Sequence, residues 1–113
     1  MDRSPVIIGV GEASRKTVPG DYPSPVELAV AAVKAALKDT GQAKNVGEAV
    51  DTLAAIRTFE DSGVSLGTGS PDNMPDAIAS ASGLSPAKLI YADVGGQSTQ
   101  AMVNKIAASI HAG

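Results

Sequence analysis

A chain of 113 residues, 43% of them hydrophobic, suffices for one compact domain but leaves much of its surface in water. Nine Lys plus Arg against twelve Asp plus Glu give a net charge of -3, and with no basic cluster to neutralise phosphates, nucleic acid is excluded as a partner. The absence of cysteine excludes a disulfide framework, a thiolate metal site and a cysteine nucleophile.

The apolar content is mostly Ala, Val, Ile and Leu, with two Tyr, one Phe and no Trp. A core of small and branched side chains is expected, and no metal site. Met1-Asp2-Arg3-Ser4 lacks the charged and then hydrophobic pattern of a secretion signal, and the run Val6 to Val10 is too short to span a bilayer. The expected compartment is the cytoplasm, with no membrane partner.

Pro5 to Gly11 (PVIIGVG) is rich in β-branched residues and closed by glycine, which predicts a strand buried on both faces. Glu12 to Pro23 is polar and contains Pro19, Gly20 and Pro23, so it reads as a loop. The following helix carries both punctuation marks: Ser24 as N-cap, Pro25 at the first helical position, Glu27 three residues after the cap, and Gly41 past the end. Val26, Val30, Val33 and Leu37 share one face, while Lys34, Lys38 and Asp39 remain available to water. The flanking alanines suggest close packing against a sheet.

A short helical turn is expected around Val46 to Val50, then a second strand from Thr52 to Phe59 (TLAAIRTF). Glu60 to Asn73 holds Gly63, Gly67, Gly69 and Pro71 among Ser and Asp, a long connection expected to be a flexible or functional loop. Met74 to Ser82 reads as a short helix ended by Gly83, and Ala87 to Val94 as a third strand ended by Gly95 and Gly96. The last helix is expected to begin at Ser98 or Thr99 and run to about His111, with Met102, Val103, Ile106 and Ile110 inward. Strand, helix, strand, short helix, strand, helix predicts an α/β domain with a parallel three-stranded sheet flanked by helices.

Two glycine motifs could hold a ligand. Gly9 and Gly11 form a G-x-G after the first strand, but Ser14 stands where a dinucleotide site needs a third small residue, and no helix follows at once. Neither condition of a dinucleotide site is met, and tight-turn glycines are the favoured explanation. Gly95-Gly96-Gln97-Ser98 lies between a strand and a helix N-terminus, where free amides and the helix dipole favour negative charge. Gly95, Gly96, Gln97 and Ser98 are therefore the substrate-binding candidates, although two glycines would also serve simply to turn the chain sharply.

The opening PVIIGVGE, the helix SPVELAVAAVKAALKDTG and the stretch LSPAKLIYADVGGQSTQAMVNKIAASIHAG resemble, in order and spacing, the N-terminal part of thiolase-like proteins. Within that superfamily the resemblance is to acetyl-CoA acetyltransferases and the sterol-carrier-protein type of thiolase. It covers most of the chain and is weakest over Glu60 to Asn73. It implies part of the N-terminal half of the thiolase fold, a place in lipid metabolism, and an acyl-CoA thioester as the small-molecule substrate, with no bound cofactor.

Typical thiolases place a Cys at the start of a buried helix, followed by small residues and a pair like Gln100-Ala101. Counting back from that pair, the resemblance assigns the nucleophile position to Gly95, and glycine cannot form a thioester. No catalytic residue is therefore expected in this chain. Ser98 reads as a helix cap, and His111 lies on the same helix about 20 Å away at ~1.5 Å per residue, too far to serve it as a base. The family's catalytic His and second Cys have no matching positions, so the resemblance implies an N-terminal fragment of an acyltransferase.

Two alternatives stand beside that reading: a non-catalytic thiolase-like protein that binds CoA or acyl groups or acts as a scaffold, and an unrelated small nucleotide-binding α/β domain. A homo-oligomer, or association with the missing half, is expected. Such association would cover the edge of the first strand and side chains of the last helix such as Met102, Ile106 or Ile110.

Overall fold

A computed structural model describes residues 3–16, 19–20, 23–57, 73–92 and 96–113. Helix α1 spans Pro25–Asp39, α2 Ala43–Ala49, strand β1 Thr52–Ile56, α3 Met74–Ser82, β2 Lys88–Ala92 and α4 Gly96–Ala112.

The N-terminus of α1 is built as its residues require. The Ser24 hydroxyl accepts from the Glu27 amide at 3.1 Å, the Glu27 carboxylate accepts from the Ser24 amide at 3.0 Å, and Pro25 opens the first turn. Thr40 caps the other end, its hydroxyl donating to the Leu37 carbonyl at 2.6 Å, and Gly41 follows with φ of 77°. Val26, Val30, Val33 and Leu37 are half-buried, while Lys34, Lys38 and Asp39 are exposed. Helix α2 begins three residues before the expected turn and ends against Val50 as its cap.

β1 and β2 pair in parallel, with Thr52 opposite Lys88 and Ile56 opposite Ala92. The Arg57 amide extends the ladder by donating to the Ala92 carbonyl at 2.9 Å. β1 is shorter than the expected strand to Phe59; residues 58–72 lie outside the described residues, and so do 93–95 at the end of the third predicted strand. The reading of Glu60 to Asn73 as a loop falls almost wholly in the former, except that Asn73 caps α3 by accepting from the Asp76 amide.

α3 lies between the two parallel strands in the chain and packs against both, and α1 packs against it. Met74, Ile78 and Ala79 are 3%, 5% and 4% exposed and Pro75 is fully buried, so this nine-residue helix holds the core found among the described residues. Its contacts with α1 and with both strands explain the concentration, because apolar surface meets it from more than one element. α1 therefore packs on α3 and α2 rather than lying directly on the sheet as its alanines suggested. α4 lies against β1. Alternation places Tyr91 on the α3 face of the sheet, where its hydroxyl approaches the Met74 sulfur at 4.0 Å, and Ile90 on the other face, where it shares a cavity wall with Ile106 of α4.

The expected first strand is the main correction. Pro5 to Gly11 joins no sheet, and the sheet among the described residues has two strands, not three. Val6, Ile7, Ile8 and Val10 are 72%, 81%, 62% and 66% exposed instead of buried on both faces. The segment rests on α1 instead: a Cβ on Gly9 would come within 2.5 Å of the Ala36 carbonyl oxygen, one on Gly11 within 2.5 Å of the Ala32 carbonyl oxygen, and the Val10 amide donates to Asp39 at 2.9 Å. The two glycines serve close backbone approach to a helix, a use that G-x-G spacing alone does not distinguish from a turn.

Candidate functional site

The strand-to-helix junction at the C-terminal ends of β1 and β2 is where an open parallel sheet offers a binding crevice. Among the described residues β2 ends at Ala92 and α4 begins at Gly96. Gly95 lies outside the described residues. Gly96 is the first residue of the helix and is exposed, with nothing within 4 Å of the space a Cβ would occupy. Gln97 is exposed and Ser98 half-buried.

The helix starts two residues earlier than Ser98, which corrects the expected cap. Ser98 sits inside the first turn, whose amides have no carbonyl one turn earlier within the helix to bond. Glycine's low helix propensity argued for a later start, but a first-turn position carries little of that cost. Gly96, Gln97 and Ser98 thus form the amide end of a 17-residue helix, with the positive end of its dipole. His111 is exposed in the last turn of the same helix, at the opposite end from Ser98.

Arg57 and Tyr91 belong to the same end of the sheet and were not singled out from the sequence. The Arg57 guanidinium lies 4.1 Å from the centre of the Tyr91 ring. The available signal was the single cation interrupting the apolar run TLAAIRTF, together with a Tyr near the end of the next parallel strand. An exposed guanidinium can attract an anionic group.

Among the described residues no group of three or more His, Cys, Asp and Glu could hold a metal ion, and no helix is long and apolar enough to cross a membrane. The last helix exposes part of its predicted inner face. Val103 and Ile110 are 50% and 48% exposed, while Met102 and Ile106 are half-buried.

The α/β architecture, with its small parallel sheet and the helix that starts at Gly96, supports a thiolase-like superfamily assignment, because the same arrangement of chain recurs in a solved member. That structure is a monomeric SCP2-thiolase-like protein type 1 from Mycobacterium smegmatis, to which this chain is 36% identical with a TM-score of 0.78. The match covers 96% of this chain and 21% of that protein, so the chain spans about a fifth of its length. No protein-family model matches the chain, and no curated protein matches it.

Proposed function

We propose that this chain is the N-terminal part of a thiolase-like acyltransferase of the acetyl-CoA acetyltransferase type, acting on acyl-CoA thioesters, to which it contributes scaffold and a helix N-terminus but no nucleophile. The likeness to the SCP2-thiolase-like protein over 96% of the chain carries the reading. The chemistry suits it: a thioester carbonyl oxygen gains negative charge when attacked, and unpaired amides at the start of α4 are donors for such an oxygen. With no cysteine in the chain, no thiolate attack starts from these residues.

That same absence favours a second reading, a thiolase-like protein that binds CoA or acyl groups without turnover. Thermal-shift titration with acetyl-CoA beside a thioester-exchange assay separates them. Saturating ligand at ~10 times Kd stabilises by about 1.4 kcal/mol, which is a measurable rise in Tm. A rise accompanied by exchange supports the acyltransferase, and a rise without exchange supports binding alone. A shift with a nucleotide and none with acetyl-CoA would overturn both and revive the unrelated nucleotide-binding domain.

A further inference from the structure

The cavity between the sheet and the C-terminal half of α4 has a volume of about 480 Å³ and lies at the N-terminal ends of the strands, away from the junction at Gly96. Its walls come from α2, both strands and α4. Lys88 and Ile90 alternate onto the same face of β2, and Ile106 and Ile110 follow at one turn's spacing on α4 beside Lys105. Three charged side chains line it, Lys88, Lys105 and Asp51. Neither ammonium has an ion pair or hydrogen bond among the described residues, whereas the Asp51 carboxylate already accepts from the Thr52 hydroxyl at 2.9 Å. Two cations against one carboxylate leave one surplus positive charge. The carbonyl end of α4 opposes it little, since the Ala112 carbonyl accepts from the Arg3 guanidinium at 3.1 Å and the Gly113 amide donates to the Ser109 and Ile110 carbonyls.

We infer that this cavity binds a small amphiphilic monocarboxylate, with its apolar chain over Ile90, Ile106 and Ile110 and its head group at Lys88 and Lys105. The volume falls within the roughly 300–1,000 Å³ of small-molecule pockets, and an apolar wall with a few polar groups is their usual lining. The surplus charge selects the head group: a monoanion neutralises it, whereas a dianion such as phosphate would overshoot it beside Asp51. Lysine suits a carboxylate arriving on a flexible chain, because its ammonium is a mobile point charge with three donors and its stem can lie along the apolar wall. A neutral apolar segment of protein, from this chain or another, is disfavoured as the occupant, since covering the cavity would strip water from both ammonium groups without supplying a counter-charge. The site stands apart from the acyltransferase reading, being at the other end of the strands.

Titration of the whole chain with octanoate, followed by amide NMR shifts, tests this, with octan-1-ol as the uncharged control. The expected result is a saturable shift confined to residues around Lys88–Ile90 and Lys105–Ile110, an affinity that falls as salt rises, and weaker binding of the alcohol. Lys88→Met and Lys105→Met keep an apolar stem and lose the charge, and each should weaken octanoate by roughly twofold to fivefold while leaving the alcohol unchanged. Both lysines are exposed, so neither variant threatens the fold. Absence of a saturable shift overturns the inference. So does equal affinity for octanoate and octan-1-ol, or octanoate binding that neither lysine variant weakens, because the cavity would then be an apolar surface awaiting some other cover. Shifts centred instead on Leu53–Ile56 and Ile78 would place the ligand in the all-apolar cavity between α1 and β1 and overturn it as well. None of these outcomes bears on thioester exchange with acetyl-CoA, so the two readings fail separately.

Discussion

The guanidinium of Arg57 lies over the ring of Tyr91, 4.1 Å from its centre, and joins the C-terminal ends of the two parallel strands. Arg57 also continues the strand ladder through its amide, so side chain and backbone hold the same junction. Because the guanidinium is largely exposed, the contact is expected to contribute ~0.5–1 kcal/mol. A double-mutant cycle of Arg57→Ala and Tyr91→Leu, read by urea denaturation, should return a coupling energy of that size. A coupling indistinguishable from zero would mean the stacking is incidental.

Close approach to α1 makes Gly9 and Gly11 intolerant of any side chain, since a Cβ on either would come within 2.5 Å of a helix carbonyl oxygen, which cannot swing away. Gly9→Ala and Gly11→Ala are each expected to lower stability by roughly 1–3 kcal/mol. Gly96→Ala, in open space at the start of a helix, should be neutral or gain up to ~0.5 kcal/mol. Melting temperatures of the three variants check the order; equal effects at all three positions would contradict the packing.

Gly83 ends α3 in the left-handed region with φ of 74°, and its amide bonds to the carbonyls of Ala79 and Ser80. Gly83→Ala is expected to cost ~1 kcal/mol through backbone strain, and Ser24→Ala a similar ~1 kcal/mol by removing the hydroxyl half of the capping box. Chemical denaturation of each variant is the measurement. Because α3 carries the buried core, the loss at Gly83 should appear as cooperative destabilisation of the whole domain rather than local fraying.

Ser82 presents the opposite case, a buried hydroxyl oxygen with no hydrogen-bond partner among the described residues. Removing an unsatisfied polar atom costs little, so Ser82→Ala should be neutral or stabilising by up to ~1 kcal/mol. A clear loss of stability would show that the hydroxyl has a partner after all.

The amide end of α4 can be probed directly because the chain has no cysteine of its own. Gly96→Cys places a single thiol there, and its alkylation midpoint is expected about one pH unit or more below the ordinary ~8.5, from the dipole and unpaired amides. Ala101→Cys, exposed on the second turn of the same helix, provides the comparison and should titrate near that ordinary value. Equal midpoints would remove the electrostatic basis for placing an anionic group at this junction.

Local chemistry was legible in the residues themselves. Ser24, Pro25 and Glu27 specified where α1 starts, Gly83 where α3 stops, and the apolar runs from Thr52 and from Ala87 specified two strands, because caps, turns and periodicity act over three or four positions of chain. The absence of cysteine likewise decided, without coordinates, that no thiolate could act from Gly95. Tertiary packing decided the rest. PVIIGVG has every local attribute of a buried strand, yet a strand exists only where a neighbour offers a matching ladder. Gly9 and Gly11 lie instead against the backbone of α1, and Val6, Ile7, Ile8 and Val10 remain in water. The same non-local arithmetic put the core on α3, whose short apolar pattern is modest by itself but which, among the described elements, touches a helix and both strands.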